Sequence, residues 1–85
     1  MKILIKNSAY KHGVSDVAIR TCLLNFRRDV MLVIEPEKRL FIGFDHCGNP
    51  LEVIAIAESD VLVVIHAMKL RKQFYQLLLE PRSFI

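Results

Sequence analysis

The sequence has no tryptophan, only two cysteines and only three glycines among its 85 residues. Small secreted domains usually rely on a disulfide framework of more cysteines than this, so we interpret Cys22 and Cys47 as reduced thiols. No apolar run reaches the roughly 18 residues that a membrane-spanning helix needs. The apolar run between Lys2 and Lys6 is too short for the core of a signal peptide. These absences predict a cytoplasmic protein with no membrane partner.

Apolar residues, by contrast, are abundant and make up 53% of the chain. That share is enough for a packed core, and it argues against extensive disorder. A chain of this length fits one domain, 1–85, and leaves no room for a second. The formal net charge of +3 is a mild basic excess that permits a polyanionic partner without requiring one. The positions of the charges therefore matter more than their sum.

Helical spacing of apolar residues predicts one helix on each side of the central region. The first covers about 16–25, where the Ser15 hydroxyl can accept a hydrogen bond from the first turn. The second covers about 70–79 and ends before Pro81, which leaves 81–85 as a loose tail. One apolar stripe of this second helix is suited to packing on a sheet, through Leu70, Phe74, Leu77 and Leu78.

Turn signals at Pro36, at Gly48-Asn49-Pro50 and at Glu58-Ser59-Asp60 divide the central region into strands. The runs between them predict strands at about 29–35, 39–45, 51–57 and 61–67. Such short connections force neighbouring strands to run antiparallel. We therefore predict an α+β fold with an antiparallel sheet of about four strands, to which Ile3 to Ile5 can add a short N-terminal strand. The third strand is apolar on both faces, which suits a sheet covered on both sides by helices or by a partner.

The candidate functional residues are basic. Lys69, Arg71 and Lys72 lie where the last predicted strand meets the last predicted helix. Cations in a first helical turn oppose the helix dipole, at a cost of roughly a few tenths to 1 kcal/mol each. Residues that conflict with the local preferences of a helix are found most often at functional sites. A basic cluster at a helix start can bind a phosphate. The alternative is a solvated, lysine-rich helix face, which these three residues by themselves favour.

Two further positions are candidates for acid–base chemistry. His66 is the only polar side chain in its predicted strand, and histidine titrates near neutrality. The alternative is a hydrogen-bonded histidine at a strand end. Lys11 and His12 precede Gly13, whose backbone freedom can direct either side chain into a cleft. The alternative for this segment is an ordinary helix lead-in.

Neither metal nor paired-carboxylate chemistry is indicated. His46 and Cys47 are adjacent candidates, whereas a structural zinc site needs four ligands at recognisable spacing. The candidate carboxylates lie mostly in or near predicted turns, and no pair has a spacing that suggests glycosidase chemistry. They are Glu35, Glu37, Glu52, Glu58 and Asp60. We predict no metal and no cofactor.

Two segments and the predicted meander between them resemble a known family. The first segment is Lys11-His12-Gly13-Val14-Ser15, and the second runs from Val64 to Phe74 and reads VIHAMKLRKQF. Together they resemble the BrnT-like toxins, which belong to the RelE-like group of ribonuclease toxins. The resemblance implies a compact α+β fold, RNA cleavage that stops translation, and a cognate antitoxin protein. The better-known members have two arginines where this chain has Met68 and Lys69.

In residue terms, the resemblance places Lys11 and His12 on the family's KHG positions and His66, Arg71 and Lys72 in its basic strand-to-helix segment. The first hypothesis is a toxin that cleaves RNA without a metal, because the RNA 2′-hydroxyl is the nucleophile. His66 would be the acid or base, Arg71 and the RNA-binding Lys69 and Lys72 would hold phosphate, and Lys11 and His12 would line the opposite wall.

The second hypothesis is a non-enzymatic binding module, either a catalytically inactive toxin relative or an adaptor, whose apolar sheet binds a partner segment. A second copy of the chain, in a homodimer, is a further candidate partner. Position in space separates the two hypotheses. If Lys11 or His12 lies beside His66 and Arg71, the enzyme is favoured, and if they lie apart, the binding module is favoured.

Overall fold

The structure of the protein is a computed structural model that describes residues 2–79. Five strands form one sheet: β1 (Lys2–Ile5), β2 (Arg28–Val33), β3 (Lys38–Phe44), β4 (Pro50–Glu58) and β5 (Val61–Lys69). The helical elements are a 3-10 turn at Asn7–Tyr10, α1 (Asp16–Leu24), a second 3-10 turn at Lys72–Phe74 and α2 (Tyr75–Leu79). The predicted tail at 81–85 and its Pro81 lie outside the described residues. Within residues 2–79, no helix is long and apolar enough to cross a membrane.

The strand order is β1-β5-β4-β3-β2, so the predicted meander from β2 to β5 is present. The α+β class is confirmed. The prediction of a wholly antiparallel sheet of about four strands is wrong, because the sheet has five strands and β1 runs parallel to β5. Short turns force antiparallel pairing only between strands that follow each other directly. A long connection through α1 separates β1 from the meander, so β1 is free of that constraint.

The sheet is covered on both sides. On the first side, here called the α1 face, Ile19, Cys22 and Leu23 of α1 pack on a core that includes Val53 and Val64. The opposite side, here called the α2 face, carries a smaller cluster of buried residues, Leu40, Ile42 and Leu70. The rest of the predicted stripe, Phe74, Leu77 and Leu78, packs against that smaller cluster, as expected.

The first helix begins and ends close to its predicted bounds. The Ser15 hydroxyl accepts a hydrogen bond of 3.1 Å from the backbone N–H of Ala18, which confirms the predicted cap. On the sheet side, Gly43 of β3 lies so close to this helix that a Cβ would sit 3.2 Å from the Cys22 carbonyl oxygen. Burial, assisted by the charge of Asp45, raises the pKa of the Cys22 thiol to about 12. Cys22 is therefore a protonated, apolar core group.

The last helix differs from the prediction. A helix from about residue 70 is wrong, because Arg71 is extended and the helical turns begin at Lys72. The backbone N–H of Leu70 donates to the Pro50 carbonyl at 2.9 Å, and that of Arg71 donates to the Glu52 carboxylate at 3.2 Å. These contacts to β4 replace the helical ones. The sequence analysis placed Lys69 and Arg71 in a first helical turn, where they would oppose the helix dipole. That argument fails, because Lys69 ends β5 and Arg71 precedes the turn.

A β-bulge interrupts β5 next to the candidate histidine. Ala55 of β4 is opposite Val64, but the next pair along the ladder is Ile54 with His66, so Ile65 is an extra residue. Residues two apart on a regular strand share a face. Because of the bulge, Val64 packs in the α1-face core while His66 is directed to the α2 face with Ile54. Bulges are frequent beside active sites, where they redirect a side chain.

Candidate functional site

The centre of the candidate site is the carboxylate of Glu52, which is fully buried in β4. Its oxygen Oε2 accepts hydrogen bonds from the backbone N–H and from Nε of Arg71, both at 3.2 Å. Its oxygen Oε1 lies 2.9 Å from Nη2 of Arg71 and 3.4 Å from Nε2 of His66. A charge without partners is very costly in an apolar interior. Arg71 supplies the partner that allows Glu52 to be buried.

Arg71 is held on two sides and still reaches solvent. Its guanidinium group binds Glu52 through Nε and Nη2. The guanidinium carbon lies 5.1 Å from the centroid of the Phe74 ring, which is in range for a cation–π contact. The Arg71 side chain is nevertheless 48% exposed. The structure thus presents a fixed cation at the surface of the α2 face, where a phosphate can approach it.

His12 completes the cluster from the other end of the chain. Its ring lies edge-on to that of His66, with 5.5 Å between the ring centroids and an angle of 71° between the planes. The preceding 3-10 turn is attached to β5, because the Ser8 hydroxyl donates to the carbonyl oxygen of Ile65 at 2.9 Å. Gly13 follows with a φ of +78°, a left-handed conformation that favours glycine. The bulge residue and the glycine together bring His12 to His66.

The other predicted residues are less closely associated with this cluster. Lys11 is exposed beside His12, and its backbone N–H donates to the Ser8 carbonyl. Lys72 is exposed at the start of the second 3-10 turn. Lys69 is opposite Leu51 in the ladder, and Leu51 belongs to the α1-face core, so Lys69 is on the face opposite to His66. Of the candidates, the structure brings together His12, His66 and Arg71.

Lys69 instead lines an open cavity of about 340 Å³ on the α1 face. The polar side chains around this cavity are His12, Ser15, Asp45, His46, Asn49 and Lys69. The Asp45 carboxylate is already committed to the turn, where it accepts hydrogen bonds from the backbone N–H groups of Cys47 and Asn49. Although partial burial acts to raise it, these bonds and the Asn49 amide hold the pKa of Asp45 below its ordinary value.

The same turn contains a group of potential metal ligands. Donor atoms of Asp45, His46 and Cys47 lie within 4.8 Å of one another. The carboxylate of this group accepts three hydrogen bonds from Cys47 and Asn49, which leaves it little capacity for a cation. The ammonium of Lys69 lines the adjoining cavity and would repel one. The arrangement favours an anion over a metal ion.

Glu52 is the residue that the sequence interpretation missed. It was grouped with carboxylates in or near turns, although it is the third residue of β4 and is fully buried. A recognisable signal was present, since Glu52 is the one charged residue in the run from Leu51 to Ala57. A glutamate is almost never fully buried unless it is paired, so this position predicts a cationic partner.

Searches against models of known protein families, curated proteins and solved structures found no match to this chain. The geometry of the cluster and the chemistry of its side chains are therefore the observations that bear on function.

Proposed function

We propose that the chain is a metal-independent endoribonuclease that acts in the cytoplasm as the toxin of a type II toxin–antitoxin system. The observation that carries the proposal is the edge contact between His12 and His66 beside the Glu52–Arg71 pair. Two imidazoles and one fixed cation are the groups that RNA cleavage by transesterification needs.

In the proposed reaction, the RNA 2′-oxygen attacks the adjacent phosphorus and the bond from phosphorus to the 5′-oxygen breaks. Glu52 accepts a hydrogen bond from the Nε2–H of neutral His66, which leaves the lone pair of Nδ1 free to take the proton from the 2′-hydroxyl. Arg71 balances the charge that develops on the phosphoryl oxygens. His12, protonated, gives its proton to the leaving 5′-oxygen. The products are a 2′,3′-cyclic phosphate and a 5′-hydroxyl.

The toxin assignment rests on the resemblance to the BrnT-like and RelE-like proteins. Its two specific segments supply the three side chains of the cluster, His12 from the first and His66 and Arg71 from the second. His12 contacts His66 across the fold, and His66 and Arg71 share the Glu52 carboxylate, which supports a shared role. The assignment also implies a cognate antitoxin that covers this surface when the toxin is silent.

The test measures cleavage of total bacterial RNA by the purified chain in EDTA, with the variants His66→Ala and His12→Ala. We expect each variant to cleave about 10²- to 10⁴-fold more slowly, the usual contribution of a general acid or base. Lys2→Ala, an exposed change on β1, is the control and should cleave at the wild-type rate. The new ends should carry cyclic phosphate. Undiminished cleavage by His66→Ala, or folded wild-type protein that cleaves no RNA, would contradict the proposal.

A catalytically inactive binding module is the second candidate. The observation in its favour is the outer edge strand β2, where Met31, Leu32 and Val33 are exposed together with the adjacent Ile34. In this alternative, Glu52 and Arg71 are an ion pair that attaches the last helical segment to β4. Expression in bacteria separates the candidates, because the enzyme slows growth in a His66-dependent manner and the module does not.

A further inference from the structure

Basic side chains lie on both faces of the sheet at the same end of β5. His66 and Arg71 are on the α2 face around Glu52. Lys69 is on the α1 face, where it lines the cavity together with His46. His12 belongs to both groups, because it contacts the His66 ring and also lines that cavity.

Beyond Val64, the edge of β5 is covered by the 3-10 turn at Asn7–Tyr10 and not by a strand, and an extended ligand can follow the exposed outer side of that turn. β1 pairs with β5 only as far as Val64, and the Ser8 hydroxyl then binds the carbonyl of Ile65. Within residues 2–79, no strand pairs with this edge beyond that point. His12 is exposed where β1 has ended, so a chain passing over this edge would cross His12 between the two faces.

The cavity on the α1 face has the character of an anion subsite. Its volume of about 340 Å³ lies at the lower end of the range for small-ligand sites. Lys69 and two histidines line it, and the single carboxylate there, Asp45, keeps its charge but directs both oxygens to N–H donors of its own turn. None of these groups is used in the proposed cleavage except His12.

We propose that this cavity binds the phosphate of the nucleotide next to the scissile one, so that RNA runs around the edge of β5 from the α2 face to the α1 face. The inference rests on the proposed function for the identity of the ligand as RNA. It adds the substrate class, because only a flexible single strand can follow such a path. A base-paired RNA, which is stiff and presents both strands, cannot bend around one strand edge.

The experiment measures the binding of 2′-O-methyl RNA, which lacks the nucleophile and is not cleaved, as a function of salt. The ligands are a dinucleotide, a single-stranded hexanucleotide and a hairpin duplex. We expect Lys69→Ala to lower the log–log salt slope for the hexanucleotide by about 0.7, the contribution of one phosphate contact on a single strand. The dinucleotide has one phosphate, which the α2-face cluster holds, so its affinity should not change. His46→Ala should likewise lower the affinity for the hexanucleotide and leave the affinity for the dinucleotide unchanged.

Lys2→Ala is the matched control, an exposed lysine at the far end of the β1–β5 pair. An unchanged hexanucleotide slope in Lys69→Ala, or a duplex that binds as tightly as the single strand, would overturn the inference. If Lys69→Ala cleaves RNA at the wild-type KM, the cavity has no such role while the nuclease proposal survives. If the slope changes as expected but wild-type protein cleaves no RNA, the subsite stands and the nuclease proposal fails.

Discussion

At the scale of single residues, the Glu52–Arg71 pair is asymmetric. The Glu52 side chain is fully buried, whereas the Arg71 side chain is 48% exposed. Loss of the arginine would leave a carboxylate in the core with only His66 and one backbone N–H. Loss of the glutamate charge would leave a guanidinium that water can still reach. The two partners therefore contribute unequally to stability, although they share one interaction.

We predict that Arg71→Ala lowers the free energy of unfolding at neutral pH by about 3–5 kcal/mol, the cost of breaking a buried pair on its exposed side. Glu52→Gln should cost less, about 1–3 kcal/mol, since it keeps the shape and an acceptor oxygen. Urea denaturation of both variants checks this order, and a smaller loss for Arg71→Ala would contradict it. Arg71→Ala is consequently a poor probe of catalysis, which is why the histidines serve that purpose.

At the scale of elements, the packing of α1 on β3 depends on the absence of a side chain at Gly43. A Cβ there would lie 3.1 Å from the Cα of Phe26 and 3.2 Å from the Cys22 carbonyl oxygen, and both of these are backbone atoms. Backbone cannot move aside as the end of a flexible side chain does. The packing of α1 on β3 therefore favours glycine at this position, even though glycine weakens an isolated strand.

We predict that Gly43→Ala lowers the free energy of unfolding by about 1–3 kcal/mol, as overpacking does in other cores. Strand propensity alone predicts instead that Gly43→Ala raises the free energy of unfolding, because glycine weakens a strand interior more than alanine does. Thermal or urea denaturation decides between them. A stabilised Gly43→Ala protein would show that α1 is free to move away from the sheet.

At the scale of the whole molecule, the two edges of the sheet differ. The β1 edge carries Lys2 and Lys6 around Leu4, and charged residues of this kind discourage strand addition. The β2 edge has an uncharged run from Val30 to Ile34 with several exposed apolar side chains. An uncharged apolar edge is best matched by another of the same kind. A second copy of the chain, paired through β2, supplies that surface.

We predict that the purified chain is a dimer and that Leu32→Lys makes it monomeric, since the new charge would be buried in the paired edge. Leu4→Lys is the matched control, because Leu4 is 46% exposed and Leu32 is 45% exposed, on opposite edges of the sheet. Analytical ultracentrifugation should find the control variant dimeric. A wild-type chain that is monomeric at all concentrations would contradict the prediction. Binding of an antitoxin at the β2 edge in place of a second copy would also contradict it.

Local sequence signals were sufficient to predict the elements that depend on neighbouring residues. The Ser15 cap, the apolar stripe from Leu70 to Leu78 and the turns between the strands depend on neighbours a few residues away, so propensity and periodicity predicted them. Even there, the last helix was placed too early, because Arg71 binds a residue of β4 instead of its own helical turn.

The arrangement of the candidate site, by contrast, depends on contacts between residues that are far apart in the sequence. Glu52 and Arg71 are 19 residues apart, and the Ser8 contact that attaches the His12 segment to β5 spans 57 residues. No periodicity predicts the bulge at Ile65, yet that one extra residue decides which face His66 occupies, since strand side chains alternate. The parallel pairing of β1 with β5 likewise depends on where a long connection returns the chain. Contacts between distant residues are settled by the packing of the whole sheet.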